Sequence, residues 1–499
     1  YFASLLKHRN RPMRLLFIFL LFIQTLSAQE QVVNAVSNFV KDPVNKNAKI
    51  TFKVIDVETG KTIASHRPEQ AIVGASTTKL FSTSSAFEIL GATFQMKTRI
   101  YCDGYIDKDS ILHGNVWIRG GGDVGMGSKF FSKENQEMNF LNDWTDSLKR
   151  LGIKHIEGAL IADASEFGYE GTPASWSSVD VGNYYGAFSG GLNFYDNTLK
   201  IAFKTAAPGT KPVFIETYPK VEGFQLKNQL VAGNVTSDQS TIHGDAYELN
   251  RSITGTIPKN SNYYTTKSSL PDPEISLAQE WERVLLKNNI QVADGAKSVR
   301  LHFKEMVTDK KDTSVYNTRK LLFTIPSKSI QDIAYWTNLK SVNVFAEGIL
   351  NAVSYYKTGD GSTTAAVSYI TNYWSKKIDT KGLVLNDGSG LSRANAISAN
   401  HFCALLSYMY KSKSYADFKA TLPVVGKTGT VKGICTKGAA AGRIQMKSGT
   451  LKGVKAFAGY VYSSSGKTLA FSISVNNFTC SSKTLVQKME QLFNVMAVY

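Results

Sequence analysis

Three short segments, in chain order, carry residue types suited to acyl transfer: Ser76-Thr77-Thr78-Lys79, Ser341-Val342-Asn343 and Lys447-Ser448-Gly449-Thr450. Ser76 offers a hydroxyl nucleophile, and Lys79 and Lys447 offer amines able to move protons. Asn343 and the hydroxyls of Ser341, Ser448 and Thr450 can hold an amide substrate. Serine chemistry of this type needs no histidine, metal or cofactor. Each segment alone is weak. A serine three positions before a lysine recurs at Ser4-Lys7, Ser354-Lys357 and Ser464-Lys467, so context must decide between them.

The run from Ser76 to Leu90 places apolar residues at Leu80, Phe81, Ala86, Phe87, Ile89 and Leu90 and stops near Gly91, which predicts a helix that starts at the serine. Residues three apart share a helix face, so Lys79 is directed toward Ser76, and the helix start offers N–H groups to developing negative charge. Without the lysine, Ser76 would read as a plain N-cap. The second segment falls between two helical patterns, 329–338 and 344–350, on a loop from which Ser341 and Asn343 can enter a cleft. Lys447 precedes Val454 to Tyr462, a Ser-Ser-Ser-Gly-Lys turn and Thr468 to Val475, a β-hairpin pattern. A substrate that pairs along a sheet edge needs a lysine and hydroxyls presented from such a strand, with Gly449 allowing close approach. Lys357-Thr358-Gly359 and Lys427-Thr428-Gly429-Thr430 lack that setting.

At 499 residues the chain exceeds one compact core, and two or three domains are expected. Lys7, Arg9, Arg11 and Arg14 precede the apolar run Leu15 to Ile23 and the small residues up to Ala28. This pattern reads as a secretory signal peptide over 1–28 whose apolar run is too short to span a bilayer, and it implies a periplasmic location. The formal charge of +17 is spread rather than clustered, which argues against nucleic acid and suits anionic envelope polymers or a peripheral membrane contact. Cys102, Cys403, Cys435 and Cys480 have no metal-site spacing, and their pairing stays open.

Lys49 to Ile55 and Thr62 to His66 read as a hairpin. Arg99 to Cys102 and Ile111 to Ile118 read as strands around the turn Asp107 to Ser110, and Gly120-Gly121-Gly122-Asp123 reads as a turn without a nucleotide-loop pattern. Helices are expected over Glu274 to Asn288 and Lys483 to Ala497. More than half of the chain separates Ser76 from Ser341, far more than one domain needs to bring two loops together. The expected organisation is a first catalytic segment over 29–96, β-rich inserted material over 97–315 and a second catalytic segment over 316–499.

The ordered segments, the long insertion, Asp387-Gly388-Ser389-Gly390-Leu391-Ser392-Arg393 and Gly438 to Arg443 together resemble the class C low-molecular-mass penicillin-binding proteins. These are D-Ala-D-Ala carboxypeptidases and endopeptidases of the penicillin-binding protein 4 type, and the resemblance covers the whole mature chain. Ser448 departs from the usual threonine but keeps the hydroxyl. The resemblance implies an α+β, β-lactamase-like domain, with a five-stranded antiparallel sheet flanked by helices and large β-rich insertions. It implies peptidoglycan stem peptides as substrate and β-lactam antibiotics as covalent inhibitors. Ser76 would attack the penultimate D-alanine carbonyl with Lys79 as general base, its pKa lowered by burial and by Lys447. Ser341 would relay a proton, Asn343 would hold the amide, and Lys447, Ser448, Gly449 and Thr450 would receive the terminal carboxylate. The N–H groups of Ser76 and Thr450 would form an oxyanion hole, each donor contributing roughly 3 kcal/mol. Asp180, in the insertion, would meet the amino end of the stem's diamino acid. A β-lactamase or esterase on the same scaffold and a non-catalytic peptidoglycan-binding protein are the alternatives. The first lacks an evident deacylating glutamate motif here, and the second predicts a damaged nucleophile or lysine.

Overall fold

The computed structural model describes residues 28–303 and 316–499, so the expected targeting segment up to Ser27 lies outside the described residues. The chain divides into two compact units. One comprises the chain up to Thr78, Lys377–Val384 and Asn395–Tyr499; the other comprises Lys79–Lys376 and Leu385–Ala394.

The first unit is built on a five-stranded antiparallel sheet in the order Ile444–Leu451, Val454–Tyr462, Thr468–Asn476, Lys49–Asp56, Thr62–His66. Both expected hairpins form, Lys49–Asp56 with Thr62–His66 at one end of this order and Val454–Tyr462 with Thr468–Asn476 inside it. Strands buried on both faces read as nearly continuous apolar runs, and Val454–Tyr462 and Thr468–Asn476 are buried along most of their length. Val32, Val36 and Phe39 of the helix over 28–41 share a core with Phe52, Phe457 and Phe471 of the sheet and with Leu485, Met489 and Phe493 of the helix Ser482–Val498. The helix Ala399–Lys411 packs against the sheet too, where Tyr460 donates its hydroxyl to the Leu406 carbonyl at 2.7 Å.

Among the described residues, the second unit combines four helices of the site with four sheets. Its helices Lys79–Ile89, Ile330–Lys340, Asn343–Thr358 and Thr363–Ser375 are joined by buried apolar residues such as Phe87, Ile333, Ile349 and Trp374. A mixed five-stranded sheet runs Ala296–Ser298, Leu160–Asp163, Val116–Arg119, Gln95–Cys102, Lys320–Ser329. Two three-stranded sheets cover 198–269, and the helices Phe140–Arg150 and Pro273–Lys287 close the core around Trp144 and Trp281.

The run Ile111 to Ile118 differs from its expected single strand. Ile111–His113 joins a four-stranded sheet and Val116–Arg119 joins the five-stranded one. Gly114 has φ 158, and a Cβ there would meet the Asp103 carbonyl oxygen at 2.0 Å. Asp103 also accepts from the Asn115 backbone at 2.6 Å and from the Trp117 indole at 2.7 Å, so a carboxylate takes the place of ladder bonds where the chain changes sheets. The glycine cluster is less of an open turn than expected. It is buried through Asp123, whose Oδ1 accepts from Gly125 N at 2.7 Å. All four cysteines carry free thiols.

Candidate active site

In the sheet unit, Ser76 lies in a 3-10 turn, Ala75–Thr78, and the α-helix begins only at Lys79. The delay follows from side chains that bond back to the main chain and tighten the turn. Thr77 donates its hydroxyl to the Gly74 carbonyl at 2.6 Å, and Thr78 donates its own to the Ala75 carbonyl at 2.9 Å. Ala75 adopts φ 46, a left-handed conformation that costs an alanine about 1 kcal/mol and marks the residue before the nucleophile as held by its surroundings. Ser76 itself is half-buried.

Lys447, Ser448, Gly449 and Thr450 lie on the strand Ile444–Leu451, at one end of the sheet order. Lys447 is fully buried and donates to the Ser448 carbonyl at 2.7 Å. Gly449 brings this strand against the backbone of the nucleophile. A Cβ there would fall 2.5 Å from the Gly74 carbonyl oxygen and 3.0 Å from Ser76 N, so no larger residue fits without displacement. Ser448 Oγ and Thr430 Oγ1 are 2.7 Å apart, and Lys455 donates to Thr450 Oγ1 at 2.7 Å. The rejected Lys427-Thr428-Gly429-Thr430 segment thus contributes a hydroxyl to the strand it competed with.

In the other unit, Lys79 is fully buried and its Nζ donates to Asn343 Oδ1 and to the Ser389 carbonyl, both at 2.7 Å. Burial holds the amine down to about 7. Asp387 and Glu347 pull the other way. Asn343 opens the helix Asn343–Thr358, and its Nδ2 donates to the Tyr185 carbonyl at 2.7 Å, which fixes the orientation of the oxygen facing Lys79. Ser341 lies on the connector just before, at φ 61, a left-handed residue that ends the helix Ile330–Lys340. Asp180, in the short helix Ser178–Val181, accepts from the Tyr185 hydroxyl at 3.2 Å. Tyr185 therefore links the expected substrate acid to Asn343.

Sequence reasoning passed over the groups behind Lys79. Glu347, one helical turn after Asn343 and 1% exposed, accepts from Gly388 N at 2.9 Å and from Ser389 N at 2.7 Å. Asp387 accepts from Gly390 N at 2.9 Å, Ser392 N at 2.7 Å and the Trp176 indole at 2.9 Å. Ser82 donates to the Gly388 carbonyl at 2.7 Å. One signal was present: Glu347 is the lone acid in the apolar helical run Val344 to Leu350.

The sequence pattern of the D-Ala-D-Ala carboxypeptidase 3 (S13) family matches residues 32–497. A D-alanyl-D-alanine carboxypeptidase of Actinomadura sp. (strain R39) is 26% identical over 452 residues, covering 88% of this chain and 79% of its own. The D-alanyl-D-alanine carboxypeptidase DacB of Haemophilus influenzae is 23% identical over 467 residues, covering 91% and 92%. The crystal structure of Haemophilus influenzae penicillin binding protein 4 superposes with a TM-score of 0.78 at 21% identity, over 93% of this chain and 99% of that one. The same protein in complex with a β-lactam gives a TM-score of 0.73.

Proposed function

This chain belongs to the D-Ala-D-Ala carboxypeptidase 3 (S13) family and is a serine-type carboxypeptidase, and we propose that it trims peptidoglycan stem peptides through an acyl-enzyme on Ser76. One observation carries the assignment of its base: an amine one turn after the nucleophile, buried, held to about 7 and facing two acceptors at 2.7 Å. An amine held near 7 is neutral in a large share of molecules at neutral pH, and its lone pair can then take a proton.

In this reading Lys79 takes the Ser76 hydroxyl proton as Oγ bonds to the carbonyl carbon of the penultimate D-alanine. The N–H groups of Ser76 and Thr450 stabilise the oxyanion. Ser341 relays that proton from Lys79 to the leaving amine, the C–N bond breaks and the terminal D-alanine departs, leaving Lys79 neutral again. Water then attacks the ester, Lys79 taking its proton and returning it to Ser76 Oγ as the C–O bond breaks, and the shortened stem leaves with a new carboxylate. Asn343 holds the substrate amide. Lys447, Ser448, Gly449 and Thr450 receive the terminal carboxylate, and Asp180 faces the amino end of the diamino acid. β-Lactams acylate the same oxygen. In this reading the mature protein works in the periplasm, as its expected signal peptide implies.

Labelling with a fluorescent penicillin tests this assignment. Intact protein labels and Ser76→Ala does not; label retained by Ser76→Ala would remove the serine from the mechanism. Digestion of purified sacculi, with the muropeptides separated, then reads the product: monomers lose a terminal D-alanine, whereas disappearance of cross-linked dimers would indicate endopeptidase action instead.

A further inference from the structure

The buried carboxylate of Glu347 has no part in the bond-making steps above, yet it sits one peptide away from the base. Its two oxygens accept from two consecutive N–H groups, Gly388 and Ser389, and the carbonyl of that same Ser389 accepts from Lys79 at 2.7 Å. Only an ionised carboxylate meets this geometry in full. A glutamine or a protonated acid offers one acceptor and turns a donor toward the other N–H. An isolated buried carboxylate is costly, and its persistence in an apolar helix calls for a reason beyond packing.

We propose that Glu347 is the positioning residue for Lys79: its ionised carboxylate clamps the Gly388–Ser389 peptides so that the Ser389 carbonyl holds the amine for proton transfer. The proposal rests on the assignment of Lys79 as base. Asn343 Oδ1, from the first residue of the same helix, is the second holder, so one helix face orients the amine twice, directly and through the loop. Charged groups facing Lys79 include Glu347 on the helix and Asp387 on the loop; Asp387 also faces Glu347. Burial and Asp387 raise Glu347 to about 7, into the range where Lys79 itself titrates. The clamp and the base therefore lose their working forms together as pH falls, and the two sites exchange protons as a pair.

The test is the pH dependence of the acylation rate constant, measured with a fluorescent penicillin on the full mature chain. Wild type falls with a slope approaching two on its acid limb, because Lys79 must be neutral and Glu347 ionised. In Glu347→Gln the slope drops to one and the midpoint moves to lower pH, since a negative neighbour of the amine is gone; the plateau falls about tenfold as the clamp is half lost. Glu347→Asp keeps the wild-type slope. A wild-type slope that stays at one down to the acid end of the profile overturns the proposal without any variant and whatever the variants' stability. So does a Glu347→Gln profile that is scaled down but unmoved, which would mean a structural role alone. Absence of labelling in wild type at any pH would instead remove the underlying assignment of Ser76 and Lys79.

Discussion

The two units hold their reactive residues in different ways. In the sheet unit, Ser76 and the Lys447 strand are held by main-chain proximity: Gly449 passes so near Gly74 and Ser76 that a single added carbon would collide. In the other unit, Lys79 is held by side chains and loop peptides, through Asn343, Ser389, Glu347 and Asp387. The first arrangement tolerates no added volume. The second tolerates neither the loss of a charge nor the loss of a donor, because its groups are buried and each bond answers another.

That contrast can be broken by substitution. The largest effect belongs to the residues that do the chemistry: Ser76→Ala abolishes acylation, and Lys79→Ala lowers its rate by about a thousandfold or more, measured with a fluorescent penicillin. Next is Gly449→Ala, for which acylation falls by about a hundredfold and about 1–3 kcal/mol of stability is lost, since the added carbon displaces the backbone of the Gly74–Ser76 turn; a rate within threefold of wild type would show that the close approach is not needed. Gly388→Ala strikes the other unit. A Cβ there meets the Ala346 carbonyl at 2.8 Å and Ser82 Oγ at 3.0 Å, so about 1–3 kcal/mol of stability is lost, read by denaturant titration. Smaller again is Ser448→Ala, which removes the hydroxyl paired with Thr430. The acylation plateau drops about tenfold, but the midpoint near pH 7 stays, because nothing that titrates there has changed. Ser448→Thr, which restores the residue usual in the family, stays within about twofold of wild type. A shifted midpoint in either Ser448 variant would tie the two modes of support together.

Legibility in the sequence follows the same division. The strands Lys49–Asp56, Ile444–Leu451, Val454–Tyr462 and Thr468–Asn476 announce themselves by β-branched and apolar runs between turns, so the sheet and the lysine strand within it are readable. The helix carrying Lys79 is readable from its apolar spacing, although its 3-10 opening is not, because it depends on which way the hydroxyls of Thr77 and Thr78 turn. The split of Ile111 to Ile118 between two sheets rests on Asp103, distant in sequence from the bonds it replaces. Glu347, Asp387 and Trp176 work through partners tens to hundreds of positions away, and no local period encodes such a meeting. Even so, a lone acid in an apolar helix one turn after Asn343 is a mark that a reader can use.

The sheet order has a consequence for how the protein is made. Its inner strand Lys49–Asp56 pairs with Thr468–Asn476, and the first strand to leave the ribosome waits for nearly the last. Until then, Ser76 has emerged but the sheet behind it has not formed. Contacts so distant in sequence close slowly, because the loop entropy is paid before the pairing can reward it. A chain interrupted between Ser76 and Thr468 therefore carries the nucleophile without the strand that joins the two halves of its sheet, and acylating power arrives in a single late step of folding rather than growing with the nascent chain.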